Sequence, residues 1–182
     1  MTAFVLRTLT FSIMLLGSLP LAAKDWQIDY ANSQLGFTIG SRLGDVDGIF
    51  HKWKFDGRIA SDTNIQGQIV VDVASIDTQN QKRDDHLRDP DFFEVSKYPG
   101  AVFEIHSVDK GDSKYTLKGI LKIRGISRPV TIPLKVKSDS ESTMNLRGAF
   151  ILDRRDFGIT YNSFFNPMQD DVLMRIDLSL NK

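Results

Sequence analysis

The chain of 182 residues contains no cysteine, only three histidines and two tryptophans, and equal numbers of basic and acidic residues, 23 of each. Without cysteine there are no disulfides and no thiolate nucleophile or ligand, so the fold must be held by a core large enough to stand alone. A formal net charge of zero excludes bulk electrostatic recruitment to nucleic acid or to anionic lipid. The histidines, His51, His86 and His106, stand at no spacing that lets two of them ligate one metal from a helix turn or hairpin. A Gly-x-Ser-x-Gly turn is missing, and Gly44, Gly48 and Gly125 lack the spacing and strand-to-helix setting of a phosphate-cradling loop. Carboxylates are plentiful, but Asp84-Asp85 and Asp170-Asp171 read as ordinary polar turn residues. The sequence offers no catalytic constellation, no metal site and no cofactor motif, so the expectation is a protein that is not an enzyme.

Long apolar runs are also scarce. The longest uncharged stretch follows Arg7, from Thr8 to Ala23, and at 16 residues it is shorter than a bilayer-spanning helix requires. A basic start, an apolar middle and a small-residue end instead read as a cleaved secretory signal peptide over 1–23, with Leu21 an imperfect residue near the cleavage point. The mature domain is then 24–182, carrying 22 basic and 23 acidic residues, exported to the periplasm and with no stable membrane insertion. No Cys follows the apolar stretch, which excludes a lipoprotein anchor.

What the sequence has in abundance is period-2 alternation, the mark of strands buried on one face. It runs through Trp26, Ile28 and Tyr30; Leu35, Phe37 and Ile39; Ile65, Ile69, Val71 and Val73; Ala101, Phe103 and Ile105; Tyr115, Leu117, Leu121 and Ile123. It returns at Val130, Ile132, Leu134 and Val136, at Leu146, Phe150 and Leu152, and at Val172, Met174, Ile176, Leu178 and Leu180. This predicts about eight antiparallel strands joined by turns at Asp109–Asp112, at Arg124-Gly125 followed by Ser127-Arg128-Pro129, and over Ser138–Ser142. Eight one-sided strands leave exposed edges unless the sheet closes into a barrel, whose interior is either filled or holds one small ligand; a two-sheet sandwich is the rival. One stretch, about 79–99, breaks the alternation and predicts an insertion with a short helix over Lys82–Arg88, ended before Pro90.

Two features of this pattern point toward a site. Among the 12 Phe, the pairs Phe92-Phe93 and Phe164-Phe165 fall outside the clean strands, where aromatic loops can line the mouth of a cavity, although a well-filled core explains most single Phe residues. His86 stands in the insertion among Arg83, Asp84, Asp85, Arg88 and Asp89, a group that reads either as a solvated, ion-paired helix or as a functional cluster.

The stretches SIDTQNQKRDDHLRDPDFFEVSKYPGAVFEI (75–105) and LKGILKIRGISRPVTIPL (117–134), with WQIDYANSQLGFTI near the start and DFGI at 156–159, resemble the YceI-like proteins over the whole mature chain. The resemblance implies an all-β, extended eight-stranded antiparallel lipocalin-like barrel whose elongated apolar channel holds a polyisoprenoid or another long-chain isoprenoid or acyl lipid. Phe37, Phe50, Trp53, Val71, Phe92, Phe93, Phe103, Leu121, Phe150, Phe157, Tyr161 and Met174 are the candidate channel-lining residues, with Arg83, His86 and Arg88 the candidates for holding a head group. The segments FHKWKFDG (50–57) and TYNSFFNPMQDD (160–171) depart from the family pattern, the second in a way that would reshape the channel mouth. Two other readings remain at this point: an enzyme acting on a lipid or quinone-like substrate, which needs a buried ionisable group facing the channel, and a module for a periplasmic protein partner, which needs an exposed apolar patch. The oligomeric state is open, a homodimer included.

Overall fold

A computed structural model describes residues 25–182; the expected signal peptide, 1–23, lies outside the described residues. The chain forms a strongly curled antiparallel sheet, a half-barrel of 11 strands with one short helix. The strands are β1 (Gln27–Ile28), β2 (Gln34–Ser41), β3 (Val46–Phe50), β4 (Trp53–Ile59), β5 (Ile65–Asp72), β6 (Ile76–Asp77), β7 (Gly100–Lys110), β8 (Lys114–Ile123), β9 (Ile126–Asp139), β10 (Thr143–Asp153) and β11 (Met168–Asn181). The helix α1 spans Gln81–Arg88. In space the order is β4-β5-β7-β8-β9-β10-β11-β2-β3-β6, with β1 added beside β11. The two ends of this series approach each other: Trp26, just before β1, forms an isolated bridge with Ile59 at the end of β4, and the His51-Lys52 link donates to and accepts from the 72–75 segment.

The count of eight strands is therefore corrected to 11, and glycine explains much of the shortfall. In β3 the inward series is Val46, Gly48, Phe50, and in β4 it is Trp53, Phe55, Gly57, Ile59, so a missing side chain hides the alternation. Each glycine has a steric reason. A side chain on Gly48 would overlap the Phe37 ring lying over it. Gly57 and Gly67 face each other across β4 and β5 at φ 158° and 147°, and a Cβ on either would run into the opposite backbone. A second correction concerns Ser127-Arg128-Pro129, which is strand and not turn. Only Arg124-Gly125, at φ 50° and 77°, makes the reversal, and β9 then runs straight through Pro129 and Pro133. It can do so because β10 pairs with β9 only from Leu134 onward, leaving one flank free of a ladder that proline would break.

The curl has local causes. The registers of β7 with β8, β9 with β10, and β11 with β2 each shift once, at Ile105/Ser107, Asn145/Leu146 and Met168/Val172. Such irregularities bend and twist a strand and help a sheet roll up. The predicted insertion is present, and its helix begins at Asn80, whose side chain accepts from the Arg83 amide at 3.1 Å. It ends at Asp89, before Pro90, as the sequence requires.

The inward faces of the long strands change character along their length. On β11, Met168, Val172 and Met174 are half-buried while Ile176, Leu178 and Leu180 are buried; on β8, Tyr115 and Leu117 are buried while Leu121 and Ile123 are not. The half-barrel is thus closely packed at one end, around Trp26, Ile59, Tyr115, Leu117, Leu134, Met144 and Leu146, and much less filled at the other, where α1 and the segment after it lie across it.

Candidate functional site

The incompletely filled end holds a cavity of about 430 Å³. Its walls are built by alternate residues of β2, β5, β7, β8, β10 and β11, and its cover by Leu87 of α1, by Phe92 and Phe93 of the following segment, and by the chain from Phe157 to Met168. Of the 12 expected lining residues, 11 face it: Phe37, Phe50, Val71, Phe92, Phe93, Phe103, Leu121, Phe150, Phe157, Tyr161 and Met174. Trp53 does not. It sits at the edge strand β4 with its ring edge-on to Tyr30 at 5.0 Å, away from the cavity. Phe164 and Phe165 do not line the interior: both point into solvent while their neighbours Ser163 and Asn166 line the cavity. Further lining residues, Ile39, Leu152 and Val172, carry the same strand alternation as those expected, and Leu87 joins them from α1.

The polar groups cluster at the covered end. Arg83 and His86 line the cavity, but Arg88 does not: its guanidinium donates to the carbonyls of Ala74 and Ile76, both at 2.9 Å, and pairs with Asp85 at 3.0 Å. Its work is to fasten α1 to the sheet. Arg83 donates from Nε to the Thr78 hydroxyl at 2.7 Å and from a terminal nitrogen to the Thr78 carbonyl at 2.8 Å. The acid beside it, Asp84, is buried but turns away from the cavity and accepts from the Thr78 amide and hydroxyl at 2.9 and 2.6 Å. Arg83 therefore reaches the cavity wall without a carboxylate partner among the described residues. His86 joins an aromatic triangle with Phe92 and Tyr161, at centroid distances of 5.0, 5.0 and 5.1 Å, which links α1 to the 157–168 segment across the cavity. His51 and His106 are exposed and remote from it.

Two arginines that the sequence did not single out as site residues hold this cover in place. Arg124, at the β8–β9 reversal, donates to the carbonyl of Phe92 and pairs with Glu94 at 3.4 Å. Arg154, whose side chain is 4 % exposed, donates to the carbonyls of Ile159 and Tyr161 at 2.8 and 2.7 Å and of Gln169 at 3.1 Å, and pairs with Asp170 at 2.9 Å. No local pattern marks either residue, because Arg124 meets partners 30 and 32 residues back along the chain and Arg154 acts mainly through backbone carbonyls, which carry no sequence signature. Among the described residues no group of three or more His, Asp or Glu could hold a metal ion, and no helix is long and apolar enough to cross a membrane.

A second void of about 50 Å³ lies within the packed end, and Ile69 borders both spaces. At that end Tyr115 donates its hydroxyl to Asp62 at 3.0 Å, and Lys110 pairs with the same carboxylate. The Lys110 hydrogen bond holds the Asp62 carboxyl below its ordinary pKa, and burial raises the Tyr115 phenol.

This arrangement has counterparts. A protein of Burkholderia cenocepacia named BcnA superposes with a TM-score of 0.73 at 24% identity, over 84% of this chain and 99% of that one. A YceI protein of Campylobacter jejuni superposes at 0.66 with 26% identity, over 75% and 85%. A polyisoprenoid binding domain from Saccharophagus degradans superposes at 0.68 with 16% identity, over 86% and 97%, a likeness of fold alone. By sequence, a UPF0312 protein of Pseudomonas aeruginosa is 31% identical over 156 residues, 82% of this chain and 79% of its own. The YceI-like domain itself matches residues 26–180, the same span that folds into the curled sheet, its cap and its cavity, and the chain belongs to the YceI-like family.

Proposed function

We propose that this protein is a periplasmic carrier or sequestering protein for a long-chain isoprenoid or acyl lipid, held in the cavity between the sheet and its cap. The observation that carries this reading is the apolar cavity itself: about 430 Å³ walled by Phe, Leu, Ile, Val and Met is too large to be a packing defect and has the size of a ligand site. A cavity of about 150 Å³ accommodates benzene, so about 25 Å³ serves one carbon and this one accepts about 17 carbons, three to four isoprene units. Each buried methylene contributes on the order of 0.8 kcal/mol, which leaves micromolar affinity or better within reach after the ordering costs. Arg83, which has no carboxylate partner among the described residues, and His86 stand where a polar head would sit. Export rests on the N-terminal sequence, and the lipid class on the cavity together with the polyisoprenoid binding of the Saccharophagus degradans domain.

The test is to purify the protein from periplasm without detergent, extract it and identify any bound lipid by mass spectrometry, with a parallel titration by a fluorescent acyl probe. About one chain lipid per protein is expected. Absence of bound lipid together with no saturable probe binding overturns the reading.

A further inference from the structure

The three most exposed large apolar side chains among the described residues are Phe164 at 90 %, Phe165 at 83 % and Leu43 at 81 %. They come from two separate segments, the chain between Phe157 and β11 and the turn between β2 and β3, and two hydrogen bonds tie these segments together. The Leu43 amide donates to the Asn166 side-chain oxygen at 3.1 Å, and the Arg42 amide donates to the Pro167 carbonyl at 3.1 Å. The two Phe rings stand edge to face at 5.5 Å. Ser163, Asn166 and Ser41, which stand within two residues of these three in sequence, line the cavity, so the apolar tip stands directly outside the cavity wall. The segment is held firmly as well: Arg154 grips the Ile159 and Tyr161 carbonyls, and the Asn162 side chain accepts from the Met168 amide at 2.8 Å.

We propose that Phe164, Phe165 and Leu43 form a docking tip that inserts into the interfacial layer of a lipid bilayer and brings the cavity-covering segment against the membrane surface. Three lines of observation choose a bilayer over a protein surface. The area is small: three such side chains expose at most about 600 Å² together, short of the ~800 Å² per partner of a stable protein interface, whereas insertion needs depth and not breadth. The chemistry of the segment suits the interface, because no residue between Asp156 and Asp170 is charged and the tip carries paired aromatic rings. A donor for lipid phosphate stands beside it: the exposed Arg42 adjoins Leu43 and is in no ion pair among the described residues, while the exposed Asp45 of the same turn leaves the turn without net charge. Exposed apolar patches with a polar surround mark such contact sites. This proposal goes beyond lipid carriage and stands on different residues, so each can fail without the other.

The experiment is flotation of the purified chain with vesicles of phosphatidylethanolamine and phosphatidylglycerol. The protein is expected to float with the vesicles, and the Phe164→Ser/Phe165→Ser double variant to lose at least about tenfold in bound fraction. Ile151→Ser, which removes an exposed apolar side chain elsewhere, is expected to bind as the parent does. Phe165→Trp gives a direct reading: its fluorescence shifts to the blue on adding vesicles and is quenched by brominated lipid chains. Replacing Arg42 by Gln is expected to weaken binding to vesicles containing phosphatidylglycerol and leave that to phosphatidylcholine vesicles unchanged. The proposal is overturned by a parent protein that does not float, by a double variant that floats equally well, or by a concentration-dependent dimer that the double variant abolishes, which would make the tip a contact between copies of the chain. Circular dichroism of each variant keeps a folding defect from passing as a docking defect.

Discussion

At the scale of single residues, Asp62 and Tyr115 show how a polar pair survives at the rim of an apolar core. The phenol is buried and its hydrogen bond to the carboxylate is satisfied, so Tyr115→Phe is expected to lower stability by about 1 kcal/mol in urea denaturation. Because Lys110 lowers the folded-state pKa of Asp62, its carboxylate contributes stability above the unfolded value of about 4, and that contribution is lost as pH falls through the depressed value. The urea midpoint of the parent should therefore exceed that of Asp62→Asn at pH 7, with the gap closing below about pH 4; a gap independent of pH would contradict the pairing. Ile69 was read in the sequence as one apolar residue of an alternating strand. Its particular position, between the main cavity and the small void, depends on β4 and β7 flanking β5 and was not legible there.

At the scale of elements, the strands were legible where enough alternating apolar residues remain to survive a glycine, as in β8 around Gly119, and illegible in the short β3 and β4, where Gly48 and Gly57 leave too few of them. Those glycines answer to neighbours in space. Gly119 is the sharpest case, since a Cβ there would overlap the Glu104 carbonyl oxygen beside the register shift of β7 on β8. Gly119→Ala is expected to cost about 2 kcal/mol or more in equilibrium unfolding, as overpacking against backbone does. The 157–168 segment depends instead on Arg154. Arg154→Met leaves three carbonyls short of a buried donor, while Asp170 keeps its pairing with Arg155 at 2.8 Å, an expected loss of about 3 kcal/mol. Hydrogen exchange should rise across 159–169 more than across the core strands β8 and β9. Uniform exchange throughout would mean the arginine stabilises the fold without fastening this segment.

For the molecule as a whole, a half-barrel packed at one end and hollow at the other behaves as a vessel of limited depth. Affinity for straight or prenyl chains is expected to rise about fourfold per added methylene and to level off near 17 carbons, measured by competition against a fluorescent acyl probe. Carbons beyond that length stay outside the walls and add nothing. Ile69→Ala opens the wall into the 50 Å³ void and is expected to move the plateau outward by about two carbons, in a protein less stable by about 2–5 kcal/mol. An affinity that climbs steadily past 20 carbons in the parent would show that the packed end yields to the ligand.

The sequence by itself determined the all-β class, the inward residue set of most strands, the helical insertion and its stop at Pro90, and, through two long stretches of resemblance, the family. Each of these is carried by period, turn chemistry or contiguous residues, all of which survive in one dimension. Only the tertiary structure decided that the series of strands numbers 11, that Trp53 and Arg88 stand outside the cavity, that Phe164 and Phe165 face solvent, and that the interior is hollow at one end alone. The physical reason is common to all four: alternation tells which face of a strand is apolar, but whether that face meets another side chain, a void or water is fixed by strands far apart in sequence, brought together by the curl of the sheet.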